Sequence, residues 1–129
     1  MTGSDSSHTI DTAVRRVVQA LIEKYDWVLP RRDELVKLVL SLIQVEDPPA
    51  DLERVAYSVA LYEACRQTED KVRHEGAYLE LMRFIYRIAF LTPELAEDAV
   101  QRALILVYEQ IDCCRDPAMF LAFAVSKLR

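Results

Sequence analysis

Residues 92–112 read TPELAEDAVQRALILVYEQID. Thr92 offers an N-cap hydroxyl, Pro93 stands where a helix needs no amide donor, and Glu94 sets a carboxylate against the positive end of the helix dipole. The pattern predicts a helix over 93–112. Leu95, Ala99, Val100, Ala103, Leu104, Leu106, Val107 and Ile111 make most of its surface apolar, which requires burial against neighbours. One narrow polar stripe remains. It carries Glu94, Glu97, Asp98, Gln101, Glu109 and Asp112, with Arg102 at its edge and Ile105 inside it. An apolar side chain among carboxylates suits a partner helix that brings arginines and a small apolar contact. The plain alternative is a solvated face with one exposed isoleucine.

The flanks continue the helical pattern. Downstream, Asp116-Pro117 repeats the start signal and opens a sixth helix holding Phe120, Leu121, Phe123, Val125 and Leu128. Upstream, Leu81, Phe84, Ile85, Ile88 and Ala89 recur at helical spacing and predict a fourth helix that ends at Phe90. The charged stretch 68–76 before it reads as a turn or a frayed start. Asp51 can cap a third helix over 51–67, with Leu52, Val55, Ala56 and Val59 inward. Glu46-Asp47-Pro48-Pro49 is a stiff break and the best candidate for an internal boundary. A second helix is expected over 32–45. Leu35, Val36, Leu38, Val39, Leu40, Leu42 and Ile43 occupy more than one of its faces, so burial on most sides is expected. The first helix is expected over 11–27, with Ile10, Val14, Val17, Val18, Leu21, Ile22 and Tyr25 as its stripe, Asp11 or Thr9 as its cap, and Pro30 as its break. Residues 1–9 are polar and expected to be a disordered tail. The fold class is therefore all-α, with about six helices.

Composition agrees. The chain has 129 residues, of which 52% are apolar and 29% charged, an ordinary globular balance rather than a disordered one. Only two glycines occur, Gly3 and Gly76, whereas the turns of a sheet protein draw heavily on glycine. The net charge of -5 opposes non-specific attraction to phosphate, so a free-standing nucleic-acid binder is disfavoured. No apolar run reaches the roughly 20 residues that span a membrane, and the polar N-terminus is unlike a signal peptide. Three cysteines, Cys65, Cys113 and Cys114, are an odd count in no framework spacing, which points to a reducing, cytoplasmic setting. The adjacent Cys113 and Cys114 read as reduced thiols, a strained vicinal disulfide, or part of a soft-metal site that lacks further ligands. His8 and His74 stand in polar stretches with no nucleophile beside them. There is no glycine-rich phosphate loop and no paired metal motif. The expectation is a protein that is not an enzyme and holds no metal or cofactor.

The string 96–108, AEDAVQRALILVY, resembles the second region of bacterial RNA polymerase sigma factors, particularly the extracytoplasmic-function group. Their pattern typically runs A-E-D-L-V-Q-E-V-F, then an aliphatic, a basic residue, a valine and an aromatic. Upstream, FIYRIA at 84–89 is similar to the family's L-Y-R-L-A; downstream, FLAF at 120–123 is similar to F-R-A-W. The resemblance covers 61–129. It implies a sigma-region-two-like bundle made by the last three helices, with 10–60 as a helical extension. It implies docking on the coiled coil of the polymerase clamp through Glu97, Asp98 and Gln101, flanked by Arg102 and Ile105. It implies a bacterial transcription initiation factor that directs polymerase to promoter DNA, with an anti-sigma regulator as an open further partner.

The departures are specific. Arg102 stands where the family has an acid, and Leu106 and Ser126 replace basic residues. The turn before Pro93 is shorter than usual. The chain ends at Arg129 before the family's promoter-melting segment, so the natural product is expected to continue, to contact DNA from beyond that point, and no DNA-binding residue is assigned here. Residues 10–60 match no family pattern; they read as a layer covering the sigma-like helices or as a regulator-binding surface. The rival reading is a helical protein-interaction module, or a sigma-derived regulator, that does not read DNA. A third is an enzyme with an unrecognised site.

Overall fold

The computed structural model describes residues 2–43, 49–89 and 97–128. Among these residues there are six α-helices: α1 Thr2–Lys24, α2 Arg32–Leu42, α3 Pro49–Arg66, α4 Lys71–Ala89, α5 Glu97–Gln110 and α6 Phe120–Ser126. Two single 3-10 turns, Ile111–Cys113 and Pro117–Met119, join α5 to α6. Among the described residues there is no strand, and the all-α reading holds. The expected break over 46–48 and the start signal Thr92-Pro93-Glu94 lie outside the described residues.

Helix α1 begins at Thr2, not at Asp11, so the stretch expected as a disordered tail continues the helix. Once a packed stripe has nucleated a helix, each added residue gains a backbone hydrogen bond at little cost. The stripe itself is as expected: Val14 and Val18 are fully buried, and Ile10, Val17, Leu21 and Ile22 pack beside them. Arg15 pairs with Asp11 at 2.8 Å and reaches Asp33 of α2 at 3.5 Å. Exposed pairs of this kind contribute about 1 kcal/mol at most, so the apolar stripe holds α1 against α2. The helix stops at Lys24, before the expected end at Trp27. The reason is tertiary. Trp27, Val28 and Leu29 turn inward and are buried. Trp27 lies against Gly76 of α4, where an added Cβ would sit 3.2 Å from the Cβ of Trp27.

Helix α2 buries Leu35, Val36 and Val39, while Leu38, Leu40 and Leu42 remain half-buried and Lys37 and Ser41 are exposed. It is less enclosed than its composition implied.

Helix α3 is the axis of the fold. Ala56, Ser58, Val59, Ala60, Leu61, Tyr62, Ala64 and Cys65 are all buried, so this helix is covered around its circumference. It packs against α1, α2, α4, α6 and the Pro117–Met119 turn. Small side chains at 56, 60 and 64 let neighbouring helices approach closely. The expected division at residue 61 falls inside α3. One apolar core runs through both halves, from Val14 and Val36 through Leu61, Leu81 and Ile85 to Val107 and Phe120.

The charged stretch before α4 resolves into a cap. Gln67 donates through Nε2 to the Asp70 carbonyl and accepts from the Asp70 amide, both at 2.9 Å. Asp70 Oδ1 then accepts from the Arg73 amide at 3.1 Å, which satisfies a free donor of the first helical turn. The Arg73 hydrogen bond holds the Asp70 carboxyl below its ordinary range. Asp116 acts similarly: its side chain accepts from the Ala118 amide at 3.0 Å, with Pro117 at the first position. That signal opens a 3-10 turn, and α6 follows at Phe120.

Candidate protein-docking surface

Helix α5 presents two unlike sides. Val100, Ala103 and Val107 are buried against the core. Glu97, Asp98, Gln101, Arg102, Ile105, Tyr108 and Glu109 are exposed. At 100° per residue these seven fall on one arc. All five residues singled out from the sequence, Glu97, Asp98, Gln101, Arg102 and Ile105, therefore share the outward face of one helix. Ile105 is 59% exposed and Tyr108 is 61% exposed, so the apolar centre of the face is wider than the single isoleucine expected. Glu94 lies outside the described residues.

Among the described residues, the charges on the outward face of α5 are uncommitted. Asp112, just beyond α5, pairs with Arg66 of α3 at 3.4 Å. Among the described residues, Glu97, Asp98, Arg102 and Glu109 form no ion pair within the chain. Asp98 and Arg102 stand at i and i+4, a spacing from which such side chains can meet, yet they do not close on each other.

An aromatic wall borders the face. Tyr108 meets Tyr78 of α4 at a ring separation of 6.0 Å and His74 edge-on at 6.2 Å; His74 lies 5.1 Å from Tyr78. His74 belongs to the first turns of α4, so of the two readings of 68–76, turn or helix start, the second holds from Lys71 onward. Its Nδ1 donates to the Gln67 carbonyl at 2.6 Å, because a carbonyl can only accept. Burial, then Cys65 and Tyr108, push the Tyr78 hydroxyl pKa up. This wall was not legible in the sequence, since its three members come from two helices; the only signal was the i+3 step from Ile105 to Tyr108.

Two concavities elsewhere among the described residues are lined mainly by charged and aliphatic side chains. A cleft of 390 Å³ between α1 and α3 is lined by Arg16, Val17, Leu21, Lys24, Tyr25, Glu53 and Tyr57 among others. A notch of 460 Å³ is lined by Gln19, Ile22, Pro30 and the 31–34 charges. Neither contains a histidine or cysteine. Cys65 and Cys114 are buried and Cys113 is exposed, all three as free thiols. Burial pushes the Cys65 pKa up, which suppresses its thiolate. Among the described residues no group of three or more His, Cys, Asp or Glu side chains could hold a metal ion. No helix among them is long and apolar enough to cross a membrane. Comparison with protein-family models, curated proteins and solved structures finds no match.

Proposed function

We propose that the protein is a sigma-like transcription initiation factor that docks on the RNA polymerase clamp through the outward face of α5 and brings the polymerase to promoter DNA. One observation carries the docking: Glu97, Asp98, Gln101, Arg102 and Ile105 are exposed together on one helix face, and among the described residues none of its charges has an ion-pair partner. An apolar centre with a charged rim is the anatomy of a protein interface. The resemblance of 96–108 to sigma region two names the partner. Carboxylates suit it because an arginine-bearing helix can meet them with charge-assisted, often bidentate hydrogen bonds. Unpaired acids also steer a basic partner during diffusional encounter.

A second reading, favoured by the net charge of -5, is an interaction module or sigma-derived regulator that binds polymerase without reading DNA. A pull-down of the 129-residue chain with the clamp coiled coil tests the docking. The variant Glu97→Lys with Asp98→Arg should lose binding while remaining folded. Unchanged binding by this folded variant overturns the docking. Duplex DNA separates the two readings: promoter-selective contacts by the chain bound to polymerase support the first, and their absence supports the second.

A further inference from the structure

We infer that the ridge Asp98, Arg102, Ile105 and Glu109 selects a partner helix by its order of charges: a base opposite Asp98, an acid opposite Arg102, a small apolar residue opposite Ile105 and a base opposite Glu109. This rests on the docking reading above and specifies the partner's chemistry at that site.

The four positions are separated by 4, 3 and 4 residues, so they line up along one side of α5 as a single ridge. All four are exposed. A facing helix offers side chains at the same spacing, and ridge-to-groove packing brings each of the four beside one of its residues. The charge order along the ridge is negative, positive, apolar, negative. Asp98, Arg102 and Glu109 form no ion pair among the described residues, whereas Arg15, Arg66 and Arg73 on other helices each pair with an aspartate. The ridge charges therefore meet a partner unneutralised.

Ile105 and the neighbouring Tyr108 supply the apolar contact that excludes water. Excluding water beside them strengthens matched pairs and penalises mismatched ones. A partner helix that is basic throughout would satisfy the two acids but would set a like charge against Arg102. Arg102 thus acts as the specificity-determining residue of the face, rejecting the all-basic helix that the acids alone would accept. The spacing 4, 3, 4 reads the same in both directions, but the charge order does not. Arg102 therefore also fixes which way the partner runs.

The test uses the full 129-residue chain and synthetic two-helix coiled-coil hairpins. One hairpin face carries Arg, Glu, Ala and Arg at i, i+4, i+7 and i+11; a second carries the reversed order. Each is compared with a control in which the Glu is Arg. For one orientation, the Glu-bearing hairpin should bind at least tenfold more tightly than its all-basic control at low salt. Arg102→Glu should invert that preference, with an unchanged circular dichroism spectrum. Equal binding of hairpin and control, tighter binding of the all-basic control to the unmodified chain, or no binding of either hairpin overturns the charge-order assignment. The docking reading is judged separately: if the clamp pull-down loses signal with Glu97→Lys and Asp98→Arg while the hairpins show no preference, docking stands and the charge order falls.

Discussion

The Tyr57 hydroxyl of α3 donates a 2.6 Å hydrogen bond to Oε2 of Glu80 on α4. Glu80 is buried, and among the described residues its ion-pair partner is Arg83, at 4.0 Å from the other carboxylate oxygen. Tyr57 in turn meets Tyr25 at a tilt and Trp27 edge-on, with ring separations of 6.0 Å to each. The bond thus joins α3 to α4 beside the aromatic plug that closes the α1 to α2 connection. Removing the hydroxyl leaves a buried carboxylate without its shortest donor.

Tyr57→Phe should therefore destabilise the fold by about 1–3 kcal/mol, the range for a buried acceptor left unsatisfied. Thermal unfolding reads this as a lower Tm, by roughly 3–5 °C for each kcal/mol in a chain of this size. Glu80→Gln should cost less, because the amide oxygen still accepts from Tyr57. Equal stability of Tyr57→Phe and the unmodified chain would show that this bond contributes nothing.

Stability should fall in alkaline solution. Burial, then the hydrogen bond to Glu80, push the Tyr57 pKa up; burial also raises Tyr62, Tyr78 and Cys65. Groups whose pKa is raised by folding keep their protons in the native state while the unfolded chain begins to lose them. The unfolded thiol titrates near 8.5 and the unfolded phenols near 10. Below those values the contribution is fully present; as pH rises through them the unfolded state gains and stability declines. Melting curves from pH 7 to 11 should show Tm dropping from about pH 8.5 upward, with a shallower drop in Cys65→Ala than in the unmodified chain after allowing for its lower starting Tm.

Much of α5 was legible beforehand because a single helix with one polar arc writes its orientation into a 3.6-residue period. The exposed set Glu97, Asp98, Gln101, Arg102 and Ile105 and the buried set Val100, Ala103 and Val107 follow from that period alone. The role of α3 was not. Ala56, Ala60, Ala64 and Ser58 are buried, yet small and hydroxyl side chains contribute little to an apolar pattern. Centrality depends on how many neighbours surround a helix, which no local period records. The early end of α1 is of the same kind: Trp27 leaves the helix to cover Gly76, 49 positions along the chain. The Tyr78, Tyr108 and His74 wall likewise exists only once α4 and α5 meet.

Ser58→Ala should loosen the descent into α6. Ser58 is fully buried, and its hydroxyl donates to the Pro117 carbonyl at 2.8 Å. Tyr62, one turn later, donates to the Cys114 carbonyl at 3.4 Å. These two donors reach the carbonyl of Cys114, between the 3-10 turns, and that of Pro117, the first residue of the second turn, which also accepts from the Phe120 amide. Losing the first should cost about 0.5–1.5 kcal/mol, because the Pro117 carbonyl keeps its bond from the Phe120 amide. Hydrogen exchange should then quicken at Met119 and Phe120 before it quickens in α4. Uniform quickening across all helices would place the loss in global stability instead.

Two positions on α5 separate docking from folding. Ile105 is 59% exposed, whereas Val107, two residues on, is fully buried. Ile105→Ser removes an apolar group that water already reaches, so stability should change by no more than about 0.5 kcal/mol. Val107→Ala deletes two buried methyl groups at about 0.8 kcal/mol each and leaves a cavity, for a loss of about 2–3 kcal/mol. Binding should sort the other way. Polymerase affinity should fall roughly 5- to 30-fold with Ile105→Ser, the equivalent of about 1–2 kcal/mol at an interface centre. It should be unchanged per folded molecule with Val107→Ala. Urea unfolding supplies the folded fraction, and titration of the clamp coiled coil supplies the affinity. If Ile105→Ser binds as the unmodified chain does, the apolar centre of α5 is solvated surface and the docking face has no core.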